Sequence, residues 1–311
     1  METLAQLIKL QDYISRYEWN PYRYPSQFIR LKKENWLHLK EEWEKEKNSL
    51  PLHETEIVDQ AEQHSRWKMW KRKEKKEEVS HEEDAKLVLP ETEQGLKQYY
   101  LNKLLHLQMK WATSTVTEVS FVDKNWHNDM EIKYFLQRFP DTYLILYYPI
   151  FEIKKAPVEC EIILITPIGI EIISQIKEEI GSTFIAQDAR TWIVEKGGHR
   201  GKLLNPHIAL KRTENIIKGI LSHYDLNFPI TKVILAKSNP VQFVTEPFQT
   251  KIIGSHQYQD WFAQKRKITS PLKNEQLKVA ECLLKHVQTT AVKRPEWEEE
   301  RDSFEFVGEE F

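Results

Sequence analysis

The sequence predicts an α/β fold, a mixed β-sheet flanked by helices and preceded by an α-helical extension. Short runs rich in β-branched and aromatic residues recur from Tyr143 onwards, as at Tyr143–Phe151, Cys160–Lys177 and Ile230–Ala236. Helical patterns separate them, and the order α-β-β-β-β-α-β-α suits a mixed sheet covered by helices. Residues 1–115 differ: they are charge-rich and carry helical spacing throughout.

The elements follow in chain order. Leu4, Leu7 and Ile8 have the spacing of a short amphipathic helix, which Asn20–Pro25 (NPYRYP) breaks. Trp36, Leu39, Trp43 and Leu50 then form a narrow apolar seam, the pattern of a coiled hairpin, and Pro51 ends it. A highly charged helix is predicted over 54–83. After Pro90 a stronger one places Leu96, Tyr100, Leu104, Leu107 and Trp111 on one face. Glu131–Phe139 is helical and Tyr143–Phe151 strand-like. Cys160–Lys177 reads as a hairpin with a Pro-x-Gly turn. Residues 183–196 give a strand pair with Trp192 in the core, and Gly197, Gly198 and Gly201 a loop. Asn205-Pro206 opens a helix to about Tyr224, because Asn caps well and Pro is tolerated in a first turn. Ile230–Ala236 is a strand, and Asn274–Gln288 the last helix. The expected division is therefore 1–115, 116–290 and an acidic segment at 291–311.

Composition bounds the function. The net charge is −2, so no global field gathers polyanions and any such binding needs a local patch. Cys160 and Cys282 are the only cysteines, too few for a disulfide framework or a zinc site of their own. Lys9, Asp12 and Arg16 interrupt the N-terminal apolar residues, so no signal peptide is expected. The apolar runs are too short to span a bilayer. A cytoplasmic protein without a transmembrane segment is the expectation.

The chemistry concentrates in the hairpin. Glu161 opens its first strand; Gln175 and Lys177 close the second. Residues i and i+2 of a strand share a face, so Gln175 and Lys177 can point into one site, with Glu161 across the hairpin. An acid, a hairpin and a polar-x-Lys pair is the layout of a metal-dependent nuclease centre. There, carboxylates hold a divalent ion that polarises phosphate and activates water. Mg²⁺ takes such oxygen ligands.

Asp129–Leu221 resembles the nuclease-related domain (NERD) family, within the PD-(D/E)xK restriction-endonuclease-like fold. The matching features stand in order: Glu131 in a helix before Phe135-Leu136, Glu161 before ILITPIGI, Trp192, Asn205-Pro206, and the strand Ile230–Ala236. The resemblance implies a centre with Glu131, Glu161 and Gln175 as metal ligands. Glu161, Gln175 and Lys177 would be its catalytic residues, with Lys177 positioning water. The chain departs from the family pattern, which has Asp at the place of Glu161 and Glu-x-Lys ending the second strand. Ungapped counting from Thr166-Pro167-x-Gly169 puts that motif on Ser174 and Ile176. A one-residue shift through a β-bulge recovers Gln175 and Lys177. Ala209 stands where the family commonly has Gln. The expectation is a degenerate pseudonuclease that binds nucleic acid or a partner. The alternatives are a Mg²⁺-dependent endonuclease, and a helical scaffold that self-associates through residues 1–115.

A second segment, Arg66–Lys76 (RWKMWKRKEKK), holds seven basic residues and two tryptophans. Cations contact phosphate and indoles stack on bases, so Arg66, Trp67, Lys68, Trp70, Lys71, Arg72 and Lys73 are the expected nucleic-acid contacts.

Overall fold

The computed structural model describes residues 4–48, 89–154, 156–268 and 270–294. The charged helix expected at 54–83, the basic stretch Arg66–Lys73 and the acidic residues beyond 294 lie outside them. The chain forms two compact units: Met1–Leu31 with Leu101–Phe311, and Lys32–Tyr100.

The larger unit is built on a six-stranded sheet. Its strands are β1 (Gln6–Leu10), β3 (Leu144–Tyr147), β6 (Ile162–Thr166), β7 (Gly169–Gln175), β11 (Ile230–Leu235) and β13 (Thr250–Ile253), in the order β1-β3-β6-β7-β11-β13. Only β6 runs against the others. On one face pack α3 (Glu93–Trp111, through Leu105 and Met109), α4 (Met130–Arg138, through Ile132, Phe135 and Leu136) and α6 (Ser255–Arg266, through Trp261). They cover Ile145, Ile162, Leu164, Ile173, Val233 and Leu235. The intervening residues Ile163, Ile165, Ile172 and Ile234 are equally buried, on the other face. There α5 (His207–His223) lies on β7 and β11, and α7 (Asn274–Leu284) on β6. Both faces are covered, so these strands read as continuous apolar runs rather than alternating ones.

A second sheet, β10-β9-β8-β12, joins β8 (Thr183–Ala186), β9 (Thr191–Lys196), β10 (His199–Leu204) and β12 (Val241–Gln242). Gly197 and Gly198, at φ 55° and 81°, make the β9–β10 turn. Gly201 is inside β10 rather than in a loop. Trp192 is buried, as expected. Two small ribbons complete the unit: β4 (Ile150–Ile153) with β5 (Ala156–Glu159), and β2 (Glu118–Val119) with β14 (Val292–Lys293).

Several elements differ from expectation. Residues 6–10 are a strand, not an amphipathic helix. The polar residues that punctuate the run, Gln6 and Lys9, are fully buried and bonded internally. Gln6 Nε2 donates to the carbonyls of Pro25 and Asp141, and Lys9 Nζ to Glu18 Oε1 at 2.7 Å. Glu18 sits in the short helix α1 (Arg16–Trp19), capped by Ser15. Tyr143–Phe151 is two strands, because the chain reverses at Tyr148 (φ 47°). NPYRYP interrupts the helices as expected. Asn20 Oδ1 accepts from the N–H groups of Tyr22 and Arg23, and α2 (Arg23–Asn48) then begins with Pro25 in its first turn.

In the smaller unit Trp36, Leu39 and Trp43 of the expected seam lie on α2, with Leu39 buried, and Leu50 lies outside the described residues. Trp36 packs on Tyr100 at 5.5 Å between ring centroids, the Tyr100 hydroxyl donates to Lys32 O, and Trp43 Nε1 donates to Pro90 O.

The Pro-x-Gly turn of the central hairpin is set by close packing. A Cβ on Gly169 would lie 2.9 Å from Pro229 O, which already accepts the Ile170 N–H. Gly169→Ala is therefore expected to destabilise the protein by about 1–3 kcal/mol, the usual cost of overpacking. A denaturant midpoint unchanged from the parent would refute this.

Candidate functional site

The candidate site lies at one end of the six-stranded sheet, where β3, β7 and β11 finish and β6 begins. The β6–β7 register runs without a shift from Thr166↔Gly169 to Ile162↔Ile173. Glu161 is next in line and stands across from Ser174, whose hydroxyl favours its ionised carboxylate. Both belong to the face covered by α5, from which Thr213 Oγ1 accepts the Glu161 N–H at 3.1 Å.

Gln175 points through the opposite face. Its Nε2 donates to Glu131 Oε2 at 2.6 Å, and Lys237 Nζ is 3.5 Å from the same oxygen. Glu131 is in the first turn of α4, where Asp129 Oδ1 accepts its N–H and that of Ile132. Lys237 follows β11 and lies 3.8 Å above the Tyr134 ring, whose hydroxyl accepts from Tyr258. Lys177 is exposed, beyond the last residue of β7.

The bulge-shifted arrangement expected from the sequence is thus corrected. β7 is regular, so Gln175 and Lys177 do not converge with Glu161. Of the expected site residues, Glu131 and Gln175 meet; Glu161 is on the other side of the sheet and Lys177 is in solvent. The places beside Glu161 go to Ser174 and, by alternation, Ile176. Arg66, Trp67, Lys68, Trp70, Lys71, Arg72 and Lys73 lie outside the described residues.

The electrostatics follow from this geometry. Burial pushes the Glu161 carboxyl up to about 7, the Glu159 charge adds to the rise, and the Ser174 hydroxyl and Arg212 partly offset it. Tyr148 lies between the two groups of acids. Burial, then the charges of Glu161, Asp129, Glu131 and Glu159, push its hydroxyl up to about 12. A bound divalent ion would hold Glu161 ionised. Here Glu161 faces a neutral hydroxyl and feels the charge of Arg212, while Glu131 is occupied by an amide and an ammonium. Among the described residues no group of three or more His, Cys, Asp or Glu could hold a metal. The residues present do not fit Mg²⁺, and no step through it follows.

Sequence reasoning missed Tyr148, Thr213, Lys237 and an open groove on α5. The groove is lined by Ala189, His207, Ile208, Lys211, Arg212, Asn215 and Ile216. The available signal was charge: residues 188–212 hold six Lys and Arg against two carboxylates in a chain of net charge −2.

Cys160 and Cys282 are free and buried. Among the described residues no helix is long and apolar enough to cross a membrane.

No protein-family profile and no solved structure matches the chain. Among curated proteins, an RNA 2',3'-cyclic phosphodiesterase of Geobacillus stearothermophilus is 50% identical over 48 residues. The match covers 15% of this chain and 15% of that protein, so the chain spans a small fraction of the relative's length.

Proposed function

We propose that the chain is a nuclease-fold protein of restriction-endonuclease-like architecture that has lost phosphodiester hydrolysis and acts by binding nucleic acid. One observation carries the reading: Glu161 faces Ser174, with Ile176 next on that face. The resembling family has Glu and Lys at these two places. Ser brings no charge to a divalent ion and Ile no polar group to position an attacking water, so neither task of metal-assisted hydrolysis has its group at these two places. The helix with Glu131, the hairpin and the Asn-Pro helix start support the architecture. The 48 residues shared with a protein named for an RNA cyclic phosphate carry no reaction to this chain, though they make RNA a necessary arm of any binding test.

The test is incubation with supercoiled plasmid and with single-stranded DNA and RNA, in Mg²⁺ and then Mn²⁺. The expected result is no cutting by the parent, by Lys177→Ala or by Glu161→Gln, together with retention of the same nucleic acids in a gel shift. Cutting by the parent that Glu161→Gln abolishes would establish an enzyme instead. Retention of none of the nucleic acids would remove the binding half of the proposal.

A further inference from the structure

The groove on α5 adjoins the Glu161 site without being part of it. Arg212 joins the two: its charge acts on Glu161 and its Nη2 donates to Glu159 O at 3.0 Å. The groove's other wall is the turn before β9, and Asn205 fastens that turn to the helix. Asn205 Nδ2 donates to the carbonyls of Asp188 and Ala189, its N–H to Arg190 O, and its Oδ1 accepts the His207 N–H. Arg190, beside Ala189, is thereby held near the first turns of α5.

Asp188, Glu195 and Glu214 of this region are already engaged, whereas the Glu159 side chain, near Arg212, is exposed. Asp188 accepts from the N–H groups of Arg190 and Thr191, which hold its carboxyl below the usual range. Glu195 faces Arg200 at 3.6 Å. Glu214 is buried against Lys232 and Lys218. Arg190, Lys202 and Lys211 are exposed and make no ion pair among the described residues. The surface thus combines Ile208 and Ile216 with exposed cations and offers no lining carboxylate. Its one lining ring is the His207 imidazole, and no Trp, Tyr or Phe lines it for a base to stack on.

We propose that this groove is where nucleic acid binds, by its phosphodiester backbone and without reading sequence. Lys211 and Arg212 from α5, and Arg190 and Lys202 from the β9 and β10 wall, are its phosphate contacts. This rests on the binding reading above and replaces the basic stretch Arg66–Lys73 as the principal contact. Cations around an apolar floor suit alternating phosphates and sugars. The lack of Trp, Tyr and Phe in the lining predicts similar affinity for unrelated sequences.

The test is fluorescence anisotropy on the full chain, using labelled single-stranded DNA, RNA of the same sequence and a DNA duplex across a salt series. Lys211→Glu/Arg212→Glu is compared with Arg190→Glu/Lys202→Glu and with Lys278→Glu, an exposed charge on α7 far along the chain. Thermal melts confirm that each variant is folded. Each groove pair is expected to weaken binding about tenfold or more and to lower the slope of log affinity against log salt by about 2. Lys278→Glu is expected to bind like the parent. A parent that binds while both groove pairs bind within about twofold of it would overturn the groove and leave the binding reading standing. No binding by the parent would overturn both. Poly-glutamate bound through the groove more tightly than any nucleic acid would overturn the proposal in favour of an acidic protein partner.

Discussion

Replacing Glu214 by Leu is expected to cost about 3–5 kcal/mol of stability, the range for removing one partner of a buried ion pair. Lys232 lies in the centre of the sheet, between β7 and β13, with its side chain 4% exposed; Glu214 on α5 is 7% exposed, and the two are 2.6 Å apart. Without the carboxylate the ammonium stays buried with no anion. Lys218, the other cation on Glu214, simply returns to solvent, being 54% exposed already. A second change, Lys232→Met, removes the stranded charge, so Glu214→Leu/Lys232→Met is expected to recover most of the loss. Urea unfolding of the parent, both single variants and the pair gives the coupling. Additive single effects would show that the pair does not fasten α5 to the sheet. The pH dependence has a definite sign. Burial works to raise the Glu214 carboxyl, but the hydrogen bonds from Lys218 and Lys232 prevail and its value lies below the ordinary 4.5. Its stabilisation is therefore complete above that value and fades as pH falls through the folded one. Because α5 carries the groove, loosening this pair is also expected to weaken nucleic-acid binding without touching a cation that contacts phosphate.

The parts of the fold legible in the sequence are those where local chemistry and tertiary packing agree. The hairpin was readable because Pro167 and Gly169 set its turn and both flanking runs are buried on two faces. Asn205-Pro206 announced α5 because the Asn side chain satisfies an N–H at the helix start. Residues 6–10 form a strand rather than the amphipathic helix that the Leu4, Leu7 and Ile8 spacing predicts, because the polar members of the run do not face solvent. Gln6 and Lys9 are instead satisfied by Pro25, Asp141, Glu18 and Thr289, partners distant in sequence. The edge strand β13 and helix α6 went unread: α6 is strongly polar, and it is fixed by Trp261 and by the Lys265–Glu171 pair rather than by an apolar stripe. At the site, the error lay in register. A bulge would have recovered Gln175 and Lys177, but a one-residue slip reverses every side chain of a strand. Ile173 would then have left the core it shares with Phe135 and Val233. Core packing outweighs the recovery of a motif, and the strand stays regular. Lys237 gave no signal of its own, since nothing local says that the second residue after β11 will face Glu131.

Glu161→Gln is expected to stabilise the protein, and increasingly so as pH rises. The reason is the carboxyl group's displacement from 4.5 to about 7 on folding. A carboxyl whose folded value lies above its unfolded one prefers to stay protonated in the fold. It costs nothing below about pH 4.5, the cost grows from there to about pH 7, and it is constant above. At about 1.4 kcal/mol per unit the full cost is roughly 3 kcal/mol. Glutamine keeps the shape and can still pair with the Ser174 hydroxyl, but it carries no charge to desolvate. The melting temperature of Glu161→Gln should match the parent's near pH 4.5 and exceed it by on the order of 5 °C near pH 8. Two curves that stay parallel across this range would show that Glu161 is not held in a low-dielectric site. The same experiment bears on the proposed loss of hydrolysis. A divalent ion at Glu161 would favour the ionised form and erase the pH dependence. Repeating the melts in millimolar Mn²⁺ should therefore leave the gap between the two proteins unchanged. A gap that closes on adding the ion would place a metal at Glu161 and overturn the proposal that the site has no place for one.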